Sequence, residues 1–195
     1  AQSQVFEGDT LHTEQSSFAQ IQMEDGGKLV LRPQSRLLIN QFRFSKEKPE
    51  EDSFAFSLLK GGLRAFSGLV GKRGNKNAYQ GRAGTATVGI RGTEYDFTLC
   101  QQDCFNAQGA LLPDGTYYQV VHGQIIINNQ AGQLLVNAGE FGFAPLDGLT
   151  LPTLQTQNPL NYQLPKEVDP ALQDSLLDGK TSLPDVVESC VIEQD

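Results

Sequence analysis

The sequence predicts an all-β fold, an antiparallel sandwich or roll of short strands. Apolar and polar residues alternate in short runs, most plainly at Phe54, Phe56 and Leu58, which puts three apolar side chains on one face. Twenty glycines and nine prolines interrupt the 195 residues at short intervals, a spacing that favours many short strands over long helices. No window approaches the roughly 18 uninterrupted apolar residues of a membrane-spanning helix.

The elements follow in order. Ser17–Met23 alternates through Phe18, Ala19, Ile21 and Met23, and Asp25-Gly26-Gly27 turns the chain because glycine accepts positive φ. Lys28–Leu31 is the return strand, Pro33-Gln34-Ser35 a second turn, and Arg36–Phe44 a third strand. Lys46–Asp52 is a solvated loop by composition, and Gly61-Gly62 is expected to turn the strand at Phe54–Leu58 into Leu63–Phe66. Gly71–Gly84, polar, basic and glycine-rich, is expected to be one long loop, of the kind that is functional or mobile in compact domains. Thr85–Ile90 and Thr93–Leu99 are strands joined at Arg91-Gly92. A loop over Gln101–Gly115 precedes strands at Tyr117–Val121, Gln124–Ile127, Gln133–Val136 and Glu140–Phe143. A faint repeat, strand-turn-strand-turn-strand, relates Ala19–Ile39 to Gln124–Phe143. From residue 145 the composition shifts to six of the nine prolines and two of the twenty glycines. The expected division is therefore a β domain over 1–144 and an acidic, proline-rich tail over 145–195, with at most one short helix at Pro170–Leu177. The tail's Leu149, Leu151, Leu154, Leu160 and Leu164 are too many large apolar residues for a free linker, and are expected to lie along a groove of this domain or of a neighbour.

The formal charge of −8 is unevenly spread. From Leu146 onward nine acids face two bases, whereas Ser53–Thr93 holds no acid and seven bases. The overall acidity argues against a nucleic-acid binder. A start at Ala-Gln-Ser without methionine reads as a processed, exported chain, periplasmic or extracellular, a compartment in which a close cysteine pair is oxidised.

Gly8-Asp9-Thr10-Leu11-His12-Thr13, Ala19-Gln20-Ile21, the run Asp25–Ser35 and Leu59-Lys60-Gly61-Gly62-Leu63-Arg64 resemble the opening of a FecR-type periplasmic domain. The likeness is most specific at Thr87–Phe97 and continues at Val121–Asn128, Gly132 and Ala138-Gly139-Glu140, so that it covers roughly residues 5–144. The resemblance implies an all-β extracytoplasmic domain without enzymatic activity. The family's namesakes are membrane-spanning regulators that relay a signal from an outer-membrane transporter to a cytoplasmic sigma factor. This sequence shows no cytoplasmic anti-sigma segment, membrane span or receptor-binding module, so a free-standing exported domain is expected and the transmembrane relay is not carried over.

Four groups of residues are candidates for function. Arg91-Gly92-Thr93-Glu94 is the family signature. Glu94 and Asp96 would share a strand face and so could form an acid/base pair, but no histidine or nucleophile accompanies them, and a structural corner held by the arginine is favoured. Cys100 and Cys104 read as a local disulfide rather than half a metal site. So small a loop gains only about 2 kcal/mol by the chain-entropy estimate, and Cys190 is left over. The cations Lys60, Arg64, Lys72, Arg73, Lys76 and Arg82 are a possible anion or partner patch, for acidic glycan, lipid headgroup or the acidic tail. The loop lacks the spacing and the strand-then-helix setting of a phosphate-binding motif. The tail leucines are the fourth group. His12 and His122 read as turn residues. No enzyme, metal or cofactor is expected. The leading expectation is an envelope binding or scaffold domain that contacts protein or glycan through strand edges and the basic loop. The alternative is a subunit of a fibre or surface assembly, a homo-oligomer whose tail docks on the next copy.

Overall fold

The computed structural model describes residues 3–73, 75, 77–160 and the backbone of 190–193. The fold is all-β. Among the described residues, fourteen strands run in chain order: β1 Thr10–Thr13, β2 Ala19–Gln22, β3 Lys28–Leu31, β4 Arg36–Arg43, β5 Ser53–Phe66, β6 Tyr79–Ala83, β7 Ala86–Ile90, β8 Glu94–Cys100, β9 Gly115–His122, β10 Gln124–Asn128, β11 Gln133–Asn137, β12 Phe141–Pro145, β13 Thr153–Gln155 and β14 Cys190–Glu193. Among the described residues, one single-turn 3-10 helix at Pro49–Glu51 is the exception, and no helix is long and apolar enough to cross a membrane.

The strands form two sheets joined through β5. The first has the order β11-β10-β7-β6-β5-β4-β1-β14, and the second β2-β3-β5-β8-β9-β12-β13. Residues 53–58 of β5 pair with β4 and β6 in the first sheet, while residues 61–66 pair with β3 and β8 in the second. The expected turn at Gly61-Gly62 is thus a bend inside one long strand. Gly61 takes φ +75°, and a side chain there would run into the Ser35 hydroxyl, so the chain changes sheets without breaking its ladder.

The expected loop over Gly71–Gly84 is also corrected. Its second half is β6, which lies parallel to β5 from Phe54↔Tyr79 to Leu58↔Ala83. Parallel neighbours need a crossover of a dozen or more residues. Residues 67–78 supply it, which is why this connection is long.

Hairpins alternate between the sheets. β2-β3, β8-β9 and β12-β13 belong to the second sheet, and β6-β7 and β10-β11 to the first. The faint repeat corresponds to this alternation: each copy is a hairpin followed by a strand in the opposite sheet. The expected boundary after Ala144 falls inside β12, and β13 then extends the same sheet from Phe141↔Gln155 to Phe143↔Thr153. β14 pairs antiparallel with β1. The expected helix at Pro170–Leu177 lies outside the described residues.

The core lies between the sheets. Phe54, Phe56 and Leu58 face inward with Leu63, Ala65, Tyr95, Phe97, Tyr118, Ile125, Ile127, Val88 and Leu37. Aromatic rings run through it edge to face: Phe54 with Tyr79 at 5.3 Å between centroids and Phe56 with Phe97 at 6.1 Å, the geometry that ring quadrupoles prefer. The Tyr79 and Tyr95 hydroxyls meet at 3.2 Å inside this cluster. Burial raises the pKa of both, so both are neutral at physiological pH.

Candidate functional site

Arg91-Gly92 carries the chain from β7 in the first sheet to β8 in the second. Gly92 has φ +64° and Gly123, at the return crossing from β9 to β10, has φ +76°. A Cβ on Gly123 would strike the Gly92 carbonyl oxygen, so the two crossings lie backbone against backbone. Thr93 pins them. Its N–H donates to the Ser67 hydroxyl at 2.7 Å, its hydroxyl donates to the Gln124 carbonyl at 3.0 Å, and its carbonyl accepts from the Ser67 N–H at 2.9 Å. The corner is therefore structural, but threonine and glycine hold it. Arg91 is exposed, and among the described residues its guanidinium has no partner.

Glu94 and Asp96 do share a face, where arginines engage them. Arg64, opposite Asp96 in register, binds its carboxylate at 2.6 Å and lies 3.7 Å from Glu94, while Arg32 binds Asp96 at 2.8 Å and donates to Thr98 at 2.7 Å. The Asp96 side chain is 6 % exposed. Two guanidiniums engage it, so this cluster is an internal tie rather than an open acid/base pair.

The crossover over 67–78 starts on a second carboxylate. Asp25, in the Asp25-Gly26-Gly27 turn, is buried and accepts from the Gly27 and Val70 N–H groups at 2.9 and 3.0 Å, and its carbonyl accepts from Leu69. Arg73 closes the other side. Its guanidinium donates to Asp52 at 3.1 Å and to the Ser45 carbonyl at 2.6 Å, and lies 4.9 Å from the Phe44 ring centroid.

Between this crossover and the outer face of β7, β10 and β11 is a cleft of about 570 Å³, within the size range of small-ligand sites. Strand register arranges its floor in rows. Arg82, Thr87, Asn128 and Gln133 form one row, Gly89, Ile126 and Leu135 the next, and Arg91, Gln124 and Asn137 the third. Ile126 and Leu135 are 42 % and 47 % exposed, whereas Ile125 and Ile127 point into the core. Gly89 leaves a hollow beside Ile126, since a Cβ there would meet nothing within 4 Å. Lys72, Asn75 and Asn77 form the rim. Apart from Thr87 in the first row, the floor and lining residues include no carboxylate, histidine, cysteine, serine or threonine.

Of the six cations expected to form a patch, Lys72 and Arg73 line this cleft, and Arg82 begins its first row. Arg64 and Arg73 are corrected to tying residues, because Asp96 and Asp52 engage them. Lys60 is exposed on β5 beside its bend, and Lys76 lies outside the described residues. Cys100 and Cys104 are joined, with Cα atoms 5.4 Å apart, at the end of β8. Leu149, Leu151 and Leu154 are exposed, Leu160 is half-buried beside Tyr118 and Gln119, and Leu164 lies outside the described residues. Sequence reasoning missed the cleft floor: the run Ile125-Ile126-Ile127 reads as core, and only register shows that its middle residue faces out.

A family model described as FecR protein matches residues 9–126, more than half of the chain. Two crystal structures of a candidate anti-sigma factor from Parabacteroides distasonis ATCC 8503, at 2.50 and 1.65 Å resolution, share the fold. Their TM-scores are 0.56 and 0.55 at 11% and 10% identity, over 77% of this chain. The chain spans 60% of the length of those chains. No curated protein matches.

Proposed function

We propose that this chain, which belongs to the FecR family, is a non-catalytic sensor or binding domain of the bacterial cell envelope. It engages its partner through the outer face of β7, β10 and β11 and the basic crossover beside it. One observation carries this reading. The cleft is rich in amides and cations, and its lining holds no carboxylate, histidine, cysteine or serine. Such a lining suits recognition rather than turnover. The structural neighbours, described as anti-sigma factors, support a regulatory role. The Cys100–Cys104 disulfide suits an oxidising compartment.

Photocrosslinking from position 126 in producing cells tests the reading, with exposed Gln20 on β2 of the other sheet as the control position. The expected result is an adduct with an envelope component from position 126 and none from position 20. No adduct from 126, or the same adduct from both, overturns it.

A further inference from the structure

We propose that the cleft floor binds an acidic oligosaccharide, a chain of sugar rings bearing carboxylates of the uronic acid type. The proposal rests on the reading of this face as the contact surface and names what it contacts. Three features lead to it. First, the rows present carboxamides, Asn128 and Gln133 in one and Gln124 in another, with Asn77 at the rim. A carboxamide both donates and accepts, as a sugar hydroxyl does, so paired amides on a sheet surface match vicinal hydroxyls. Second, Ile126 and the hollow at Gly89 give a shallow apolar seat for the face of a ring, and no Cβ obstructs it. Third, the face is bounded by cations. Arg82 and Arg91 lie in rows four residues apart along β7, about 13 Å at strand rise, with Lys72 on the rim. Among the described residues none of the three has an acidic partner. Glu140, at the end of the third row, is engaged by the Asn137 side chain and N–H at 3.0 and 2.8 Å.

An extended acidic peptide would seek unpaired strand backbone, which this face offers, among the described residues, only at the outer edge of β11. β7 and β10, which carry Gly89 and Ile126, are paired on both sides and offer side-chain amides instead.

The test is calorimetric titration of the full chain with tetragalacturonate, its neutral carboxyl-reduced counterpart and hexaglutamate. Tetragalacturonate should bind, and the neutral sugar at least tenfold more weakly. Lys72→Gln with Arg91→Gln should weaken the acidic sugar at least tenfold. Gly89→Val fills the hollow without changing charge, and open space around that position leaves the fold intact. It should weaken tetragalacturonate at least tenfold and leave any hexaglutamate binding unchanged. Absence of tetragalacturonate binding overturns the proposal, as does hexaglutamate binding equally tightly, or Gly89→Val without effect. An adduct from position 126 together with silent titrations would leave the contact face standing and refute only the glycan. No adduct and silent titrations would refute both.

Discussion

Replacing Gly123 by alanine should cost more stability than the same change at Gly139, although both glycines sit at sheet crossings with positive φ. Gly139 has φ +83° and nothing within 4 Å of a built Cβ. It bears only the left-handed backbone penalty of about 1–2 kcal/mol. Gly123, at φ +76°, bears that penalty and also drives a methyl group into the Gly92 carbonyl, with the Gly92 carbonyl carbon and Thr93 Cα each 3.2 Å away. These are backbone atoms pinned by the Thr93 hydrogen bonds, so the crossing must shift. Overpacking of this kind costs about 1–3 kcal/mol, and the total is about 2–5 kcal/mol. Urea unfolding of the two variants and the parent measures the difference directly. The Gly123 variant should melt lower than the Gly139 variant by roughly 2–4 °C for each kcal/mol of that difference. Equal losses within about 0.5 kcal/mol would refute the backbone-to-backbone packing of the two crossings. They would remove with it the account of the signature as a structural corner.

Asp96→Ala leaves Arg32 and Arg64 facing a buried site without its carboxylate, a loss expected to cost about 3–5 kcal/mol. The paired change Arg64→Met with Asp96→Leu should cost less, and a urea melt of the three chains checks the order. Tyr79, Tyr95 and Tyr118 are buried, and burial raises each hydroxyl pKa well above its ordinary value. In each the folded state holds its proton more tightly than the unfolded chain does. The stability from these tyrosines is therefore complete below the unfolded value near pH 10 and is lost as pH rises beyond it, at up to about 1.4 kcal/mol per group per pH unit. Circular dichroism and tyrosinate absorbance followed together should show these three phenols ionising only as the protein unfolds; full ionisation ahead of unfolding would contradict their burial.

The strands were legible wherever large apolar residues alternate, as at Phe54–Leu58, or where a glycine or proline turn separates two runs, as at Asp25-Gly26-Gly27. β6 was not, because its inward residues after Tyr79 are Gly81 and Ala83, which carry almost no hydrophobic signal, while Gln80 and Arg82 make it read as loop. The Gly61 bend looked like a turn because one residue with positive φ serves either geometry, and only the pairing on both sides decides between them. At the candidate site, the acid-free stretch alone singles out Lys72 and Arg82 as candidates. The fates of Arg64 and Arg73 depend on Asp96 and Asp52, 32 and 21 residues away in the chain, a proximity that no local pattern encodes.

β5 is interior to both sheets, with β4 and β6 beside its first half and β3 and β8 beside its second. Neither sheet can be assembled to completion while this strand is free, and neither can be dismantled while it is held. The two layers are therefore one cooperative unit rather than two that dock, and amide hydrogens along residues 53–66 should be among the last to exchange. Three of the four strands that pair with β5 lie about 25–38 residues from their partners in the chain, so slow folding is expected, as for other non-local β topologies.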